Sequence, residues 1–107
     1  MGLAELLGRL LRRPKKTCPH LEQVQEVTPS SPDGCTRCLE MGDSWVNLRI
    51  CLTCGQVGCC DNSKNTHATK HFQETGHPII QSFQPAEAWR YCYVDEAQLA
   101  EAEPFRA

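Results

Sequence analysis

An α+β fold is expected for this chain: a small domain built on an antiparallel sheet of short strands, with one central helix and helices at both termini. Three observations predict it. Eleven of the twelve Cys and His residues form an ordered series of closely spaced pairs. Short alternating segments flank a single helical stretch. Aromatic residues make up only 7% of the 107 residues, which leaves a thin apolar core for that length.

The series reads Cys18-x-His20, Cys35-x-x-Cys38, Cys51-x-x-Cys54, Cys59, His67, His71, His77 and Cys92. Eight cysteines in so short a chain mean either a disulfide framework or metal. Disulfides go with a secretory signal, and residues 1–16 do not read as one. Their apolar set is interrupted by Arg9, Arg12 and Arg13, and no small-residue cleavage site follows. A disulfide across two intervening residues also closes a tight, reducible loop. The same spacing lets two sulfurs point at one ion, so the reading is zinc in a reducing, cytoplasmic compartment.

Along the chain, Leu3, Leu6, Leu7, Leu10 and Leu11 recur at helical spacing and Pro14 ends the run. This predicts an N-terminal amphipathic basic helix over 1–16. Docking of its leucines on the domain or on a partner chain is favoured over contact with an anionic membrane. Residues 28–34 (TPSSPDG) read as a loop. Residues 44–51 (SWVNLRIC) alternate as a strand, with Val46, Leu48 and Ile50 on one face and Trp45 read as core. Residues 56–59 read as a second short strand. Residues 66–75 (THATKHFQET) read as a helix closed by Gly76 and Pro78. Residues 78–83 and 89–94 read as paired strands, and 96–103 as an Ala- and Glu-rich helix. The domain proper is placed at 17–95, with a C-terminal tail at 96–107.

His67 and His71 lie four apart, hence on one helix face. Either they share one zinc or each serves a neighbouring ion. The residues between them are Ala68, Thr69 and Lys70, so the general-base glutamate of a metalloprotease helix is missing.

The ordered set CPH at Cys18–His20, CTRC at Cys35–Cys38, CLTCGQVGC at Cys51–Cys59, HATKH at His67–His71 and GHP at Gly76–Pro78 resembles the UBP-type zinc finger. This is the ubiquitin-binding finger of deubiquitinating enzymes and of a cytoplasmic histone deacetylase. The resemblance covers about residues 17–95, and the order is most like that of small stand-alone bacterial proteins. It implies two interleaved sites, Cys35, Cys38, Cys59 and His67 for one zinc, and Cys51, Cys54, His71 and His77 for another. A third site pairs an early Cys-x-His with a late Cys-x-x-Cys. Here the late pair reads Cys92-Tyr-Val-Asp95, so the third set becomes Cys18, His20, Cys92 and Asp95, carboxylate being an acceptable zinc ligand. An empty or three-ligand third site is the competing reading. Cys60, the remaining thiol, is read as a small buried residue.

In such fingers a pocket takes the free Gly-Gly tail of ubiquitin, with aromatic walls and an arginine in a Cys-Gly-Arg stretch. The matching stretch here is Cys59-Cys60-Asp61, which reverses the charge. The aromatic wall is represented by Trp89, Tyr91 and Tyr93, which alternation places on one face, with Arg90 as a candidate replacement for the arginine. The leading expectation is a protein-interaction module for a protein or peptide C-terminus. The alternative is a structural or regulatory zinc protein that engages its partner through the N-terminal helix. Catalysis is disfavoured because the first two sites are closed by four protein ligands. Nucleic acid is disfavoured because, beyond residue 16, six basic residues face twelve acidic ones.

Overall fold

The computed structural model describes residues 17–107. The helix expected over 1–16 therefore lies outside the described residues. A 3-10 turn at Pro19–Gln23 is followed by helix α1 (Thr36–Met41), strands β1 (Leu48–Cys51) and β2 (Val57–Cys59), and helix α2 (His67–Thr75). Strands β3 (Ile79–Ser82), β4 (Arg90–Cys92) and β5 (Ala97–Leu99) complete it. The strands form one antiparallel sheet in the order β2-β1-β3-β4-β5.

Register decides which side chains share a face, because directly paired residues point the same way. Leu48 pairs with Cys59 and Ile50 with both Val57 and Gln81. Ile79 pairs with Cys92, and Arg90 with both Gln81 and Leu99. Leu48, Ile50, Val57, Ile79 and Leu99 thus line one face, where they join Leu52, Phe83 and the thiols of Cys35 and Cys38 in the buried core. The N-terminal loop covers this face with Leu21, Val24 and Val27, and Trp45 packs there as expected. Val46 departs from the expected alternation. It precedes β1, its N–H is taken by the Ser63 hydroxyl at 2.8 Å, and it is 57% exposed.

The opposite face carries Arg49, Cys51, Gly58, Ile80 and Tyr91. Helix α2 lies over its β2 end. Gly58 allows this, because a Cβ there would sit 2.8 Å from the backbone nitrogen of Ala68. Helix α2 starts after Thr66, which takes a left-handed conformation, and stops at Gly76 (φ 78°), whose N–H bonds to the Phe72 carbonyl at 2.7 Å. The β1–β2 turn also needs its glycine. Gly55 has φ 85°, and a side chain there would run into the Thr28 carbonyl.

Two local elements differ from the sequence expectation. Helix α1 is an addition. It spans six residues, too few for a periodic signal, and its N-cap is Cys35, whose sulfur accepts the Cys38 N–H at 3.4 Å. The C-terminal helix expected over 96–103 is not formed. Glu96 turns the chain at φ 50°, and Ala97–Leu99 pairs with β4 as an edge strand with Leu99 buried. So short a segment has a weak intrinsic drive to helix, and burial of Leu99 plus strand pairing overrides it. The chain beyond returns across the sheet: Gln81 Nε2 donates to the Glu103 carbonyl at 2.8 Å, and Arg106 donates to the Phe83 carbonyl at 3.1 Å.

Replacing Gly58 by Ala should force α2 off the sheet and destabilise the zinc-loaded chain by roughly 1–3 kcal/mol, the usual cost of overpacking. A urea titration should show a lower midpoint with an unchanged slope. An unshifted midpoint would mean that α2 does not rest on that Cα.

Candidate functional site

Among the described residues, three clusters of possible metal-binding groups stand out, each of four residues whose ligand atoms lie within 4.8 Å of one another. For a tetrahedral ion with Zn–S near 2.3 Å and Zn–N near 2.0–2.1 Å, sulfur–sulfur edges come to about 3.8 Å and sulfur–nitrogen edges to about 3.6 Å.

The first cluster contains Cys35, Cys38, Cys59 and His67, all buried. His67 Nδ1 lies 3.2, 3.4 and 3.7 Å from the sulfurs of Cys35, Cys38 and Cys59, and the Cys38 and Cys59 sulfurs are 3.9 Å apart. These are the edges of a tetrahedron of zinc size. The His67 N–H donates to Cys59 Sγ at 3.2 Å, and the Asn65 amide reaches Cys38 Sγ at 3.6 Å while donating to Asp43 Oδ2 at 3.0 Å. Asn65 thereby ties the sulfur to a carboxylate. That carboxylate is itself held down at about 2 by the Asn65 bond, the Ser44 N–H and Lys64.

The second cluster contains Cys51, Cys54, His71 and His77. Cys51 Sγ is 3.5 Å from His77 Nδ1, and Cys54 Sγ is 3.3 Å from His71 Nε2. His67 and His71, one turn apart on α2, therefore face different clusters. The third contains Cys18, His20, Cys92 and Asp95. His20 Nδ1 is 3.5 Å from both Cys92 Sγ and Asp95 Oδ1, and the Asp95 N–H approaches Cys92 Sγ at 3.4 Å. The four-membered sets expected from the sequence are thus the sets that the structure brings together. All eight cysteines are free thiols.

Burial sets the protonation of these clusters and keeps their side chains neutral. Burial pushes the Cys38 thiol up to about 12, with Cys35 and Cys59 adding to the rise and the Asn65 bond opposing it. Burial also raises Cys51 and Cys18. His67 and His71 are pushed down, first by burial and then by nearby positive groups, so both imidazoles are kept neutral with a nitrogen lone pair to give. A divalent ion neutralises the thiolates that burial alone disfavours.

Beside the clusters lies a cavity of about 320 Å³, lined by Arg49, Cys60, Asp61, Thr69, Ile80, Trp89, Tyr91 and Tyr93. Trp89, Tyr91 and Tyr93 share this wall, as alternation predicts. The Tyr91 and Tyr93 rings meet edge to face at 5.5 Å, and Tyr93 stacks on Phe72 of α2 at 4.7 Å. Burial pushes the Tyr93 hydroxyl up to about 12. The arginine of this wall is Arg49, with its guanidinium 4.5 Å from the Trp89 ring centre. Arg90 does not contribute. Its register puts it on the other face, where its Nε donates to Gln81 Oε1 at 3.1 Å and it lines a separate groove with Val27, Leu52 and Phe105. Arg49 was legible in principle: it alternates with Leu48 and Ile50 and so faces away from the core. Cys60 is buried as expected, yet it also lines the cavity, with its sulfur 3.5 Å from the Ser63 hydroxyl.

Comparison with known proteins agrees with this geometry. The model of the family described as "Zn-finger in ubiquitin-hydrolases and other protein" matches residues 35–103. Ubiquitin carboxyl-terminal hydrolase 14 of Schizosaccharomyces pombe is 35% identical over 69 residues, covering 60% of this chain and 9% of the yeast protein. Histone deacetylase 6 of Caenorhabditis elegans is 32% identical over 78 residues, 73% of this chain and 8% of that protein. The chain thus spans about a tenth of the length of these curated relatives. A solution NMR structure of a protein from Rhodopseudomonas palustris superposes with a TM-score of 0.74 at 52% identity, covering 81% of this chain and 84% of that one.

Thiol protons must leave before zinc binds, and an ordinary thiol still carries its proton at neutral pH. The apparent zinc affinity should therefore rise with pH across the neutral range, about tenfold per unit for each proton displaced. Competition with a chromophoric chelator at two pH values measures this. A pH-independent affinity would exclude thiol ligation.

Proposed function

This chain belongs to the UBP-type zinc-finger family, and we propose that it serves as a non-catalytic, zinc-stabilised module that binds the extended C-terminal tail of a protein. On this reading Cys35, Cys38, Cys59 and His67 hold one zinc, Cys51, Cys54, His71 and His77 a second, and Cys18, His20, Cys92 and Asp95 a third. Each set offers four ligand atoms within 4.8 Å of one another, enough to close the coordination of one ion, so the ions serve the fold rather than activating water. Cysteines at this density with no disulfide among them suit a reducing, cytosol-like compartment.

The observation that carries the tail-binding reading is Arg49 over Trp89 inside the aromatic cavity. Its NH1 donates to the Leu48 carbonyl at 2.9 Å, which fixes the guanidinium and leaves other N–H donors for a terminal carboxylate. The cavity is small and walled by rings, so it favours a narrow segment such as Gly-Gly over bulky side chains. Arg49 supplies, from β1, the positive charge that position 61 lacks. A ubiquitin-like protein is the class of partner with such a tail.

Titration of the zinc-loaded chain with a Gly-Gly-ending peptide should show the free acid binding at least about tenfold tighter than its amide, the worth of one charge-assisted hydrogen bond. Arg49→Gln should erase that difference. Equal binding of acid and amide by the wild type would rule out a carboxylate pocket. For the third metal set, Asp95→Ala should lower the zinc content by one ion per chain. An unchanged content would remove Asp95 from the ligands.

A further inference from the structure

We propose that Asp61 is a specificity determinant of this pocket, selecting tails that carry a Lys or Arg side chain two residues before the terminal glycine. This rests on the tail-binding reading and deepens it. Asp61 follows β2 at the exposed edge of the cavity. It is tethered rather than free to sweep solvent: the Thr69 hydroxyl of α2 donates to Asp61 Oδ1 at 2.5 Å and lies 3.3 Å from the Tyr93 hydroxyl. That bond occupies one carboxylate oxygen and leaves the second out of it.

The cavity lining therefore carries two charged poles of opposite sign, Arg49 and Asp61. At one, the Arg49 guanidinium already covers the Trp89 ring, so that aromatic face is committed to an internal cation. At the other, Asp61 stands with Tyr91 and Tyr93, whose rings form a right-angled corner (89°). Aromatic faces attract a cation, and an adjacent carboxylate strengthens the attraction. A Lys or Arg stem can lie along the rings while its head reaches Asp61. A tail with only a carboxylate satisfies the first pole and leaves the second to water. A tail with an acidic side chain at that place meets Asp61 as a like charge. Because Asp61 is exposed, the preference is screened by salt.

The test uses the full zinc-loaded chain and three free-acid peptides ending in Lys-Gly-Gly, Ala-Gly-Gly and Glu-Gly-Gly, titrated at low and high salt. The wild type should bind them in that order, with roughly fivefold steps at low salt that shrink at high salt. Asp61→Asn should bring the three together, and Asp61→Arg should reverse the order, both with unchanged zinc content. Equal affinities for the three peptides in the wild type, while acid is still preferred to amide, would overturn the role of Asp61 and leave tail binding standing. Persistence of the Lys preference in Asp61→Asn would overturn it too. Failure of all three acids to bind would overturn both readings.

Discussion

Helix α2 presents His67 and His71, four residues apart, to two different Cys clusters, and most of the molecule is organised by that fact. The members of the two clusters alternate along the chain: Cys35 and Cys38, then Cys51 and Cys54, then Cys59 and His67, then His71 and His77. Neither cluster can close without the segments that belong to the other. The sheet joins them at both ends of its hairpin, Cys51 ending β1 and Cys59 ending β2. The apolar core alone is slight. Among its fully buried large side chains Phe83 is the sole aromatic, with Ile50, Leu52, Ile79 and Val57 around it. A structural zinc contributes on the order of 10 kcal/mol, comparable to the whole stability of a domain this size. Metal binding and folding are then one equilibrium.

The same skeleton places the aromatic cavity. Thr69 lies between His67 and His71, Cys60 and Asp61 follow Cys59, Tyr91 and Tyr93 flank Cys92, and Arg49 is two residues before Cys51. On β4, alternation explains the placement: Cys92 points toward the core face and His20, while Tyr91 points into the cavity. Most of the wall is therefore held within one or two residues of the proposed metal ligands. Rigid side chains on rigid strands bind a peptide with little ordering cost, which suits a cavity of modest volume.

What could be read beforehand follows the physics of each signal. Chelating pairs are local, so Cys-x-x-Cys and Cys-x-His spacing located the clusters, and the four-residue separation of His67 and His71 fixed their shared helix face without saying whether they shared an ion. The paired strands around Ile80 and Tyr91 were visible as alternation. Helix α1 was not, because six residues capped by a thiol carry no periodic pattern. The C-terminal strand was not, because Ala and Glu favour helix locally and only pairing with Arg90–Cys92 reveals an edge position for Leu99. The arginine of the cavity lies on a different strand from the candidate the sequence offers, for a related reason. Adjacency to Trp89 in sequence suggested Arg90, whereas neighbours along a strand point to opposite faces, and only the register of β1 against β3 brings Arg49 to the aromatic side.

That exchange of strands has a chemical consequence. The UBP-type pattern carries an arginine after its Cys-Gly, at the position held here by Asp61. With Arg49 rising from β1 and Asp61 standing after β2, the cavity keeps both a cation and an anion rather than a single positive charge. A uniformly positive pocket attracts any anion, phosphate included. A dipolar one rewards a ligand only when its own charges are spaced to match, because a misplaced charge meets repulsion at one pole and desolvation at the other. The aromatic rings offer contact area that is indifferent to sequence, so in the proposed tail complex discrimination falls to Arg49 and Asp61. Arg49 is placed by its pairing with Gly58, and Asp61, past the end of β2, by the Thr69 hydroxyl of α2, so both charges are carried by chain next to the two metal clusters.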